Sequence, residues 1–269
     1  MMPSRGEQSY FSMEHEKLRE ESWNKAEPAI RAMLERGAQA YLVTLTDHER
    51  VFATKDPVCA CIDERVCGDK FALAGSGILL SHDEAVSIIR DYQIRSISSH
   101  EHCGAAGLAF KTLALEQQTE FGTADTYAQE WTKALAQELG LMYNGHVPVI
   151  EGDQHIARVI YYDATGSFNP SALKADGLPP GFLVSRYREK PEVTLPTIGV
   201  ATDIATGDHG FGKMFTPESP LVIIPVGTEN VLPVLRQEIE SATRDKFYKA
   251  SLTIDIGIVA PREALAMAA

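Results

Sequence analysis

Cys61, Asp63 and Arg65, within the stretch CIDERV at 61–66, set a thiol, a carboxylate and a guanidinium on alternate positions. In an extended segment, side chains two residues apart point the same way, so a soft metal ligand would stand beside an Asp–Arg pair. A second group follows in HEHC: His100, Glu101, His102 and Cys103. Cys61 with His100 and Cys103 makes a Cys₂His set, which zinc accepts readily and which leaves a fourth position open in catalytic sites. His100 and Cys103 are three apart, a spacing from which a tight turn can bring both to one ion. A lone cysteine after a strand is ordinarily a small buried hydrophobe, and an isolated H-x-x-C has little specificity. The conjunction of C-x-D-x-R with H-x-x-C-G, about 40 residues apart on a βαβ pattern, carries the metal reading.

The other reactive residues read more plainly. Cys59 lies two before Cys61, deeper in the same strand, and is assigned to the core; Cys67 is a free thiol near the site. Glu101 and His102 are candidate proton shuttles because they flank the ligand turn, but a solvated turn is the better reading of each. His209, in TGDHGFGK, sits in a glycine-rich loop that could approach a ligand; a surface turn accounts for it as well.

Elements must bring these groups together. Residues 13–36 read as one or two helices that stop at Gly37, with Pro28 marking a kink or a fresh start. The charge in its first half places it on a surface or against a partner subunit. PVCACI (57–62) reads as a buried strand and KFALAGSGILL (70–80) as a second, broken by Gly75 and Gly77. Ser81 with Glu84 makes a capping box opening a helix through Tyr92. A strand at 94–98 leads into HEHC, and the small residues after Cys103 into a helix of roughly 15 residues. A further helix runs from about Thr126 to Leu139, and IARVIYY (156–162) is a strand closed by DATG. Past residue 170 come expected strands at TIGVATD, PLVIIPV and LTIDIGIV and a helix at VLPVLRQEIESA. Strands alternating with helices predict an α/β fold with a mainly parallel sheet flanked by helices. Ligands gather at the carboxyl ends of such strands, where both thiol motifs fall. The expected organisation is an N-terminal helical arm at 1–37, a zinc core at 38–170 and an additional C-terminal α/β extension at 171–269.

Composition bounds the partners. The chain has 269 residues, 44% hydrophobic and 23% charged, with a formal net charge of −12. That is an ordinary globular composition, and the negative charge argues against nucleic acid or an anionic membrane as partner. The N-terminus has no apolar signal region and no run of about 18 apolar residues occurs, so a cytoplasmic location is expected. Three of the four cysteines fall within nine residues, which suits metal binding or catalysis by thiols better than a disulfide framework.

These motifs resemble those of the β-carbonic anhydrases, whose signature is C-x-D-x-R followed by H-x-x-C-G; here the residues are CIDER and HEHCG. GDKFALAGSGILL resembles the family's strand and glycine turn, G-D-x-F-x-x-R-N-A-G-N, and YYDATGSF its last core strand and turn. The similarity covers about residues 55–168. The segment between the motifs is shorter than in many members, Leu73 and Ser76 stand where the family has Arg and the final Asn, and the chain after 170 has no counterpart.

The resemblance implies zinc on Cys61, His100 and Cys103, with Asp63 and Arg65 as the neighbouring catalytic dyad. It implies a lyase that hydrates CO₂ to bicarbonate by zinc-bound hydroxide, with Asp63 orienting the hydroxide and Arg65 keeping Asp63 ionised; in some members the Asp itself closes the fourth zinc position. It further implies a homodimer or dimer of dimers, with N-terminal helices wrapped on the neighbouring subunit. The same scaffold hosts hydrolysis of CS₂ or COS, and a non-catalytic metal-binding or bicarbonate-sensing protein is the remaining alternative.

Overall fold

The computed structural model describes residues 5–149, 154–245 and 252–261. Two parallel sheets form. In the first, β1 (Val58–Ala60), β2 (Lys70–Ala72), β3 (Ser96–His100) and β4 (Met142–Val147) lie in the order β2-β1-β3-β4. In the second, β5 (Val159–Asp163), β6 (Gly181–Ser185), β7 (Leu221–Gly227) and β8 (Leu252–Ile254) lie in the order β6-β5-β7-β8, with a short β9 (Ile258–Val259) also on β7. The fold is therefore α/β with helix-flanked parallel sheets, as the alternation of elements predicts.

One plan is used twice. In each half the first strand passes to the second without an α-helix, and helices then connect second to third and third to fourth. In the first half these are α3 (His82–Asp91), then α4 (Gly104–Thr112), α5 (Leu115–Phe121) and α6 (Ala124–Leu139); in the second they are α7 (Pro191–Thr206), then α8 (Leu232–Thr243). The halves meet where β6 approaches β2: Leu183 N–H donates to Ile62 O at 3.0 Å, and Ala72 N–H to Ser185 Oγ at 2.8 Å.

Local signals explain most elements. Ser81 accepts from Glu84 N–H while the Glu84 carboxylate accepts from Ser81 N–H, so the capping box forms. Gly140, left-handed at φ 66°, ends α6. Other expectations are corrected. The helix after Cys103 breaks at Leu113–Ala114, where Gln117 accepts from Ala114 N–H and starts α5. TIGVATD is helical within α7: Thr194, Ile198, Ala201, Thr202 and Ala205 are buried at helical spacing, and that periodicity outweighs the strand preference of the β-branched residues. The strand at 156–162 forms as β5, but in the second sheet, so residues on either side of position 170 share one sheet. All five β5 residues are buried, as a strand with neighbours on both sides requires. The place beside β3 is taken instead by β4, an edge strand.

The N-terminal helix, α1 (Arg5–Arg36), continues through Pro28 into the short α2 (Ala38–Leu42). Trp23, Ile30 and Met33 on α1 are buried within the chain itself, whereas Leu18 and Leu34 are exposed. Trp23 packs edge-on to Phe211 and Phe215, with ring centroids 5.0 and 5.3 Å away, and the fully buried Arg158 lies 3.5 Å over the Trp23 ring while pairing with Glu27. Ile30 and Met33 are buried about two and three turns on from Trp23. Packing on both sides of Pro28 offsets its lost hydrogen bond. None of the described helices is long and apolar enough to cross a membrane.

Candidate metal centre

The three sequence-predicted ligands converge. Cys61 follows β1, His100 ends β3 and Cys103 is the N-cap of α4. Between the last two, His102 takes a left-handed φ of 55°, the turn that returns the chain so that Cys103 faces the same point as His100. One ligand atom from each of Cys61, His100 and Cys103 lies within 4.8 Å of the others, and all three residues are buried.

Three details fit this cluster to a metal. The Cys61 and Cys103 sulfurs stand 3.9 Å apart, whereas a disulfide needs about 2.05 Å. Two thiolates on a tetrahedral zinc, each at about 2.3 Å, would stand about 3.8 Å apart. His100 Nδ1 pairs with the Glu101 carbonyl at 2.8 Å; since a carbonyl only accepts, Nδ1 carries a proton, which leaves Nε2 as the nitrogen turned towards the two sulfurs. That Nε2 is buried without a hydrogen-bond partner. A backbone carbonyl fixing the far nitrogen is how ligating histidines are usually oriented.

Electrostatics favour a thiolate. The hydrogen bond from the Cys103 thiol, and then the His100 charge, hold the Cys61 thiol well below its ordinary pKa against the opposing cost of burial. The Cys103 thiol is displaced upward, by Cys61 and by burial. Gly75 N–H adds a donor to Cys61 Sγ at 3.3 Å. Gly75 is left-handed (φ 55°), and a Cβ there would meet Ile78 Cγ2 at 2.6 Å and Ala105 Cβ at 3.0 Å, so only glycine brings its N–H to the sulfur.

Asp63 and Arg65 form a buried pair, their side chains 4% and 2% exposed. Arg65 Nε and its backbone N–H each donate to Asp63 Oδ1 at 2.9 Å, and Nη2 donates to Oδ2 at 2.6 Å. Burial alone would raise the Asp63 pKa; the Arg65 hydrogen bonds, with the His155 and His100 charges, outweigh it and keep the carboxylate ionised far below its ordinary range. Asp63 Oδ2 lies 3.9 Å from His100 Nε2, so the carboxylate faces the converging ligand atoms while remaining engaged by Arg65.

Three buried residues at the site carry no motif. The Lys70 ammonium donates to the carbonyls of Cys61 and Asp63 at 2.8 and 2.7 Å. Glu64 accepts from Ile156 N–H and pairs with His155 Nδ1 at 3.1 Å, and His155 Nε2 stands 3.4 Å from Arg65 Nη2. His155 arrives from the segment leading into the second sheet, 90 residues along the chain from Arg65, beyond any local pattern. Lys70 had one usable signal: a charged residue opening an apolar strand needs an internal partner.

The remaining candidates take their plainer roles. Cys59 is fully buried, its S–H directed to Ser76 O, and burial pushes its pKa up to about 12. Cys67 is exposed. Glu101 accepts from Val149 N–H at 3.3 Å and His102 N–H donates to Asp125 at 3.0 Å, so both tie down the ligand turn. The His209 loop touches the site only indirectly, its carbonyl accepting from His155 N–H at 2.7 Å. Leu73 is buried, and Ser76, left-handed at φ 60°, donates its hydroxyl to Ser98 O. At the carboxyl edge of the second sheet, Asp163 is spent on its own turn, accepting from Thr165 and Phe168, and Val231 caps α8 where Cys103 caps α4. Among the described residues, no ligand cluster lies at that edge. No protein family, curated protein or solved structure matches the chain.

Proposed function

We propose that this chain is a carbonic anhydrase: it binds zinc through Cys61, His100 and Cys103 and reversibly hydrates CO₂ to bicarbonate and a proton. The observation that carries the reading is the bare, buried Nε2 of His100 facing two sulfurs 3.9 Å apart, with an ionised carboxylate beside it. Two soft thiolates and an imidazole are a donor set that zinc takes well, in preference to harder cations. Bound there, zinc would supply the Lewis acidity that makes water a nucleophile near neutral pH. The chain's own residues would do the rest. Asp63 Oδ2 accepts a hydrogen bond from the attacking water and so aims its lone pair. Arg65 keeps Asp63 ionised and fixed by its two-point grip. Ile78 and Ala105 crowd Gly75 beside the Cys103 sulfur, apolar neighbours that suit a small uncharged substrate.

The test is stopped-flow CO₂ hydration by zinc-loaded protein, with COS and CS₂ assayed in parallel. Turnover of CO₂ that disappears with the metal is expected. Zinc-replete protein inert towards CO₂ but active on COS or CS₂ would move the assignment to a hydrolase. Inertness towards all three would remove the enzymatic reading.

A further inference from the structure

Lys70 opens β2 and is buried, yet it belongs to no motif and plays no part in the chemistry above. A buried ammonium is costly unless its donors and its charge are both answered. Its hydrogen bonds go to the carbonyl oxygens of Cys61, at 2.8 Å, and Asp63, at 2.7 Å. Those carbonyls flank Ile62 in the turn leaving β1, the turn that sets where the Cys61 sulfur and the Asp63 carboxylate point. Beyond Ala60 this turn has left the β1–β2 ladder, whose last paired residues are Ala60 and Ala72. Lys70 thus supplies from the neighbouring strand the donors that a continued ladder would have supplied.

Charge points the same way. With both ligand thiols ionised, Cys61, Cys103, Asp63 and Glu64 carry four negative charges in one buried volume. Arg65 answers Asp63, and a divalent ion would answer the thiolates. Glu64 is left, with the adjoining His155 and Lys70 in reach; burial lowers the Lys70 pKa, and the Cys61, Asp63 and Glu64 charges oppose that lowering.

We infer that Lys70 is a positioning residue of the metal centre, a fixed buried cation that pins the Cys61–Asp63 turn and sets both metal affinity and ligand geometry. The inference rests on the zinc-site reading but not on the reaction assigned to it. Outer partners of metal ligands typically contribute about 10–100-fold in affinity, and Lys70 acts on the backbone of one ligand.

The experiment compares parent and Lys70→Met for zinc affinity, by competition with a chromophoric chelator, and for the visible spectrum of the cobalt-substituted protein. Methionine keeps the length and apolar stem and removes donors and charge together. The expected result is zinc binding weakened by about 10-fold or more, with shifted cobalt d–d and sulfur-to-cobalt bands. Lys70→Gln, which keeps an N–H donor without charge, should fall between the two. Affinity within a factor of about two of the parent and an unchanged cobalt spectrum would overturn the inference. So would failure of both variants to fold in excess zinc, since Lys70 would then serve the fold at large. A parent that binds zinc but hydrates no CO₂ would refute the proposed activity and leave the Lys70 comparison intact.

Discussion

Replacing Arg65 by methionine separates the buried pair from the chemistry assigned to it. Arg65 contributes two side-chain hydrogen bonds to Asp63, at 2.9 and 2.6 Å, with both side chains buried. Removing one partner of a buried ion pair costs about 3–5 kcal/mol, because the remaining charge is stranded. Here the low end applies, since Asp63 keeps the Arg65 backbone N–H at 2.9 Å and His155 at 3.8 Å. For a chain of this size roughly 2–4 °C of melting temperature accompanies each kcal/mol, so a loss near 3 kcal/mol predicts a fall of roughly 6–12 °C. Asp63→Asn should also destabilise, by leaving the guanidinium without its carboxylate. The double variant Asp63→Asn/Arg65→Met strands neither charge and should recover much of the loss, giving a coupling energy of about 1–3 kcal/mol in a double-mutant cycle. Rate should not recover with stability: all three variants are expected to lose on the order of 10²-fold in CO₂ hydration at full zinc content. Calorimetry, zinc analysis and stopped-flow on the four proteins make the measurement. If Arg65→Met melts with the parent, the pair is not the closed unit described. If it also hydrates CO₂ at the parent rate, the dyad has no part in turnover.

Three further outcomes follow from the same geometry. Metal analysis should find about one zinc per chain, and Cys103→Ser should lose most of it, because serine offers no thiolate at neutral pH; full retention would show that the ion lies elsewhere. Gly75→Ala should cost about 1–2 kcal/mol for a left-handed alanine, add a clash with Ile78 and weaken zinc by withdrawing the N–H from Cys61; normal zinc affinity would refute that account. The third concerns pH. Burial would lower the His155 pKa, but the Glu64 carboxylate outweighs it and raises it above the ordinary value of about 6.5. The stability this pair contributes is thus fully present below that value and lost as pH rises through the raised folded one. The melting-temperature gap between parent and His155→Gln should narrow from about pH 6 to about pH 9; a gap that widens reverses the assigned charge.

The convergence of Cys61, His100 and Cys103 is legible because all three lie at or just past strand ends, which are marked by short-range patterns: an apolar run closed by CIDER, another closed by HEHC. The capping box at Ser81 and Glu84 and the terminator at Gly140 were legible for the same reason. What escaped was set by contacts across the chain. TIGVATD has strand-like composition, and its buried helical face exists because β5 to β7 are there to cover it. IARVIYY reads well as a strand, but its choice of sheet depends on β6 and β7, which come later. Glu64 looks like an ordinary charged residue until His155 arrives 91 residues on. The charge of residues 13–36 reads as a surface helix until Arg158, more than 130 residues on, stacks on Trp23 and pairs with Glu27.

The twofold use of one strand plan has a thermodynamic consequence. The β2–β6 seam lies beside Ile62, one residue from Cys61, so the surroundings of the candidate centre are built from both halves of the molecule. Were those halves separate molecules, the seam would form and dissolve with their concentration, and a dilute cell extract would hold incomplete sites. Joined by one backbone, they meet at an effective concentration fixed by the linker, in the millimolar range for short connections, which dilution does not change. Turnover per chain should therefore stay constant down to the lowest concentration at which it can be measured, with no lag on dilution.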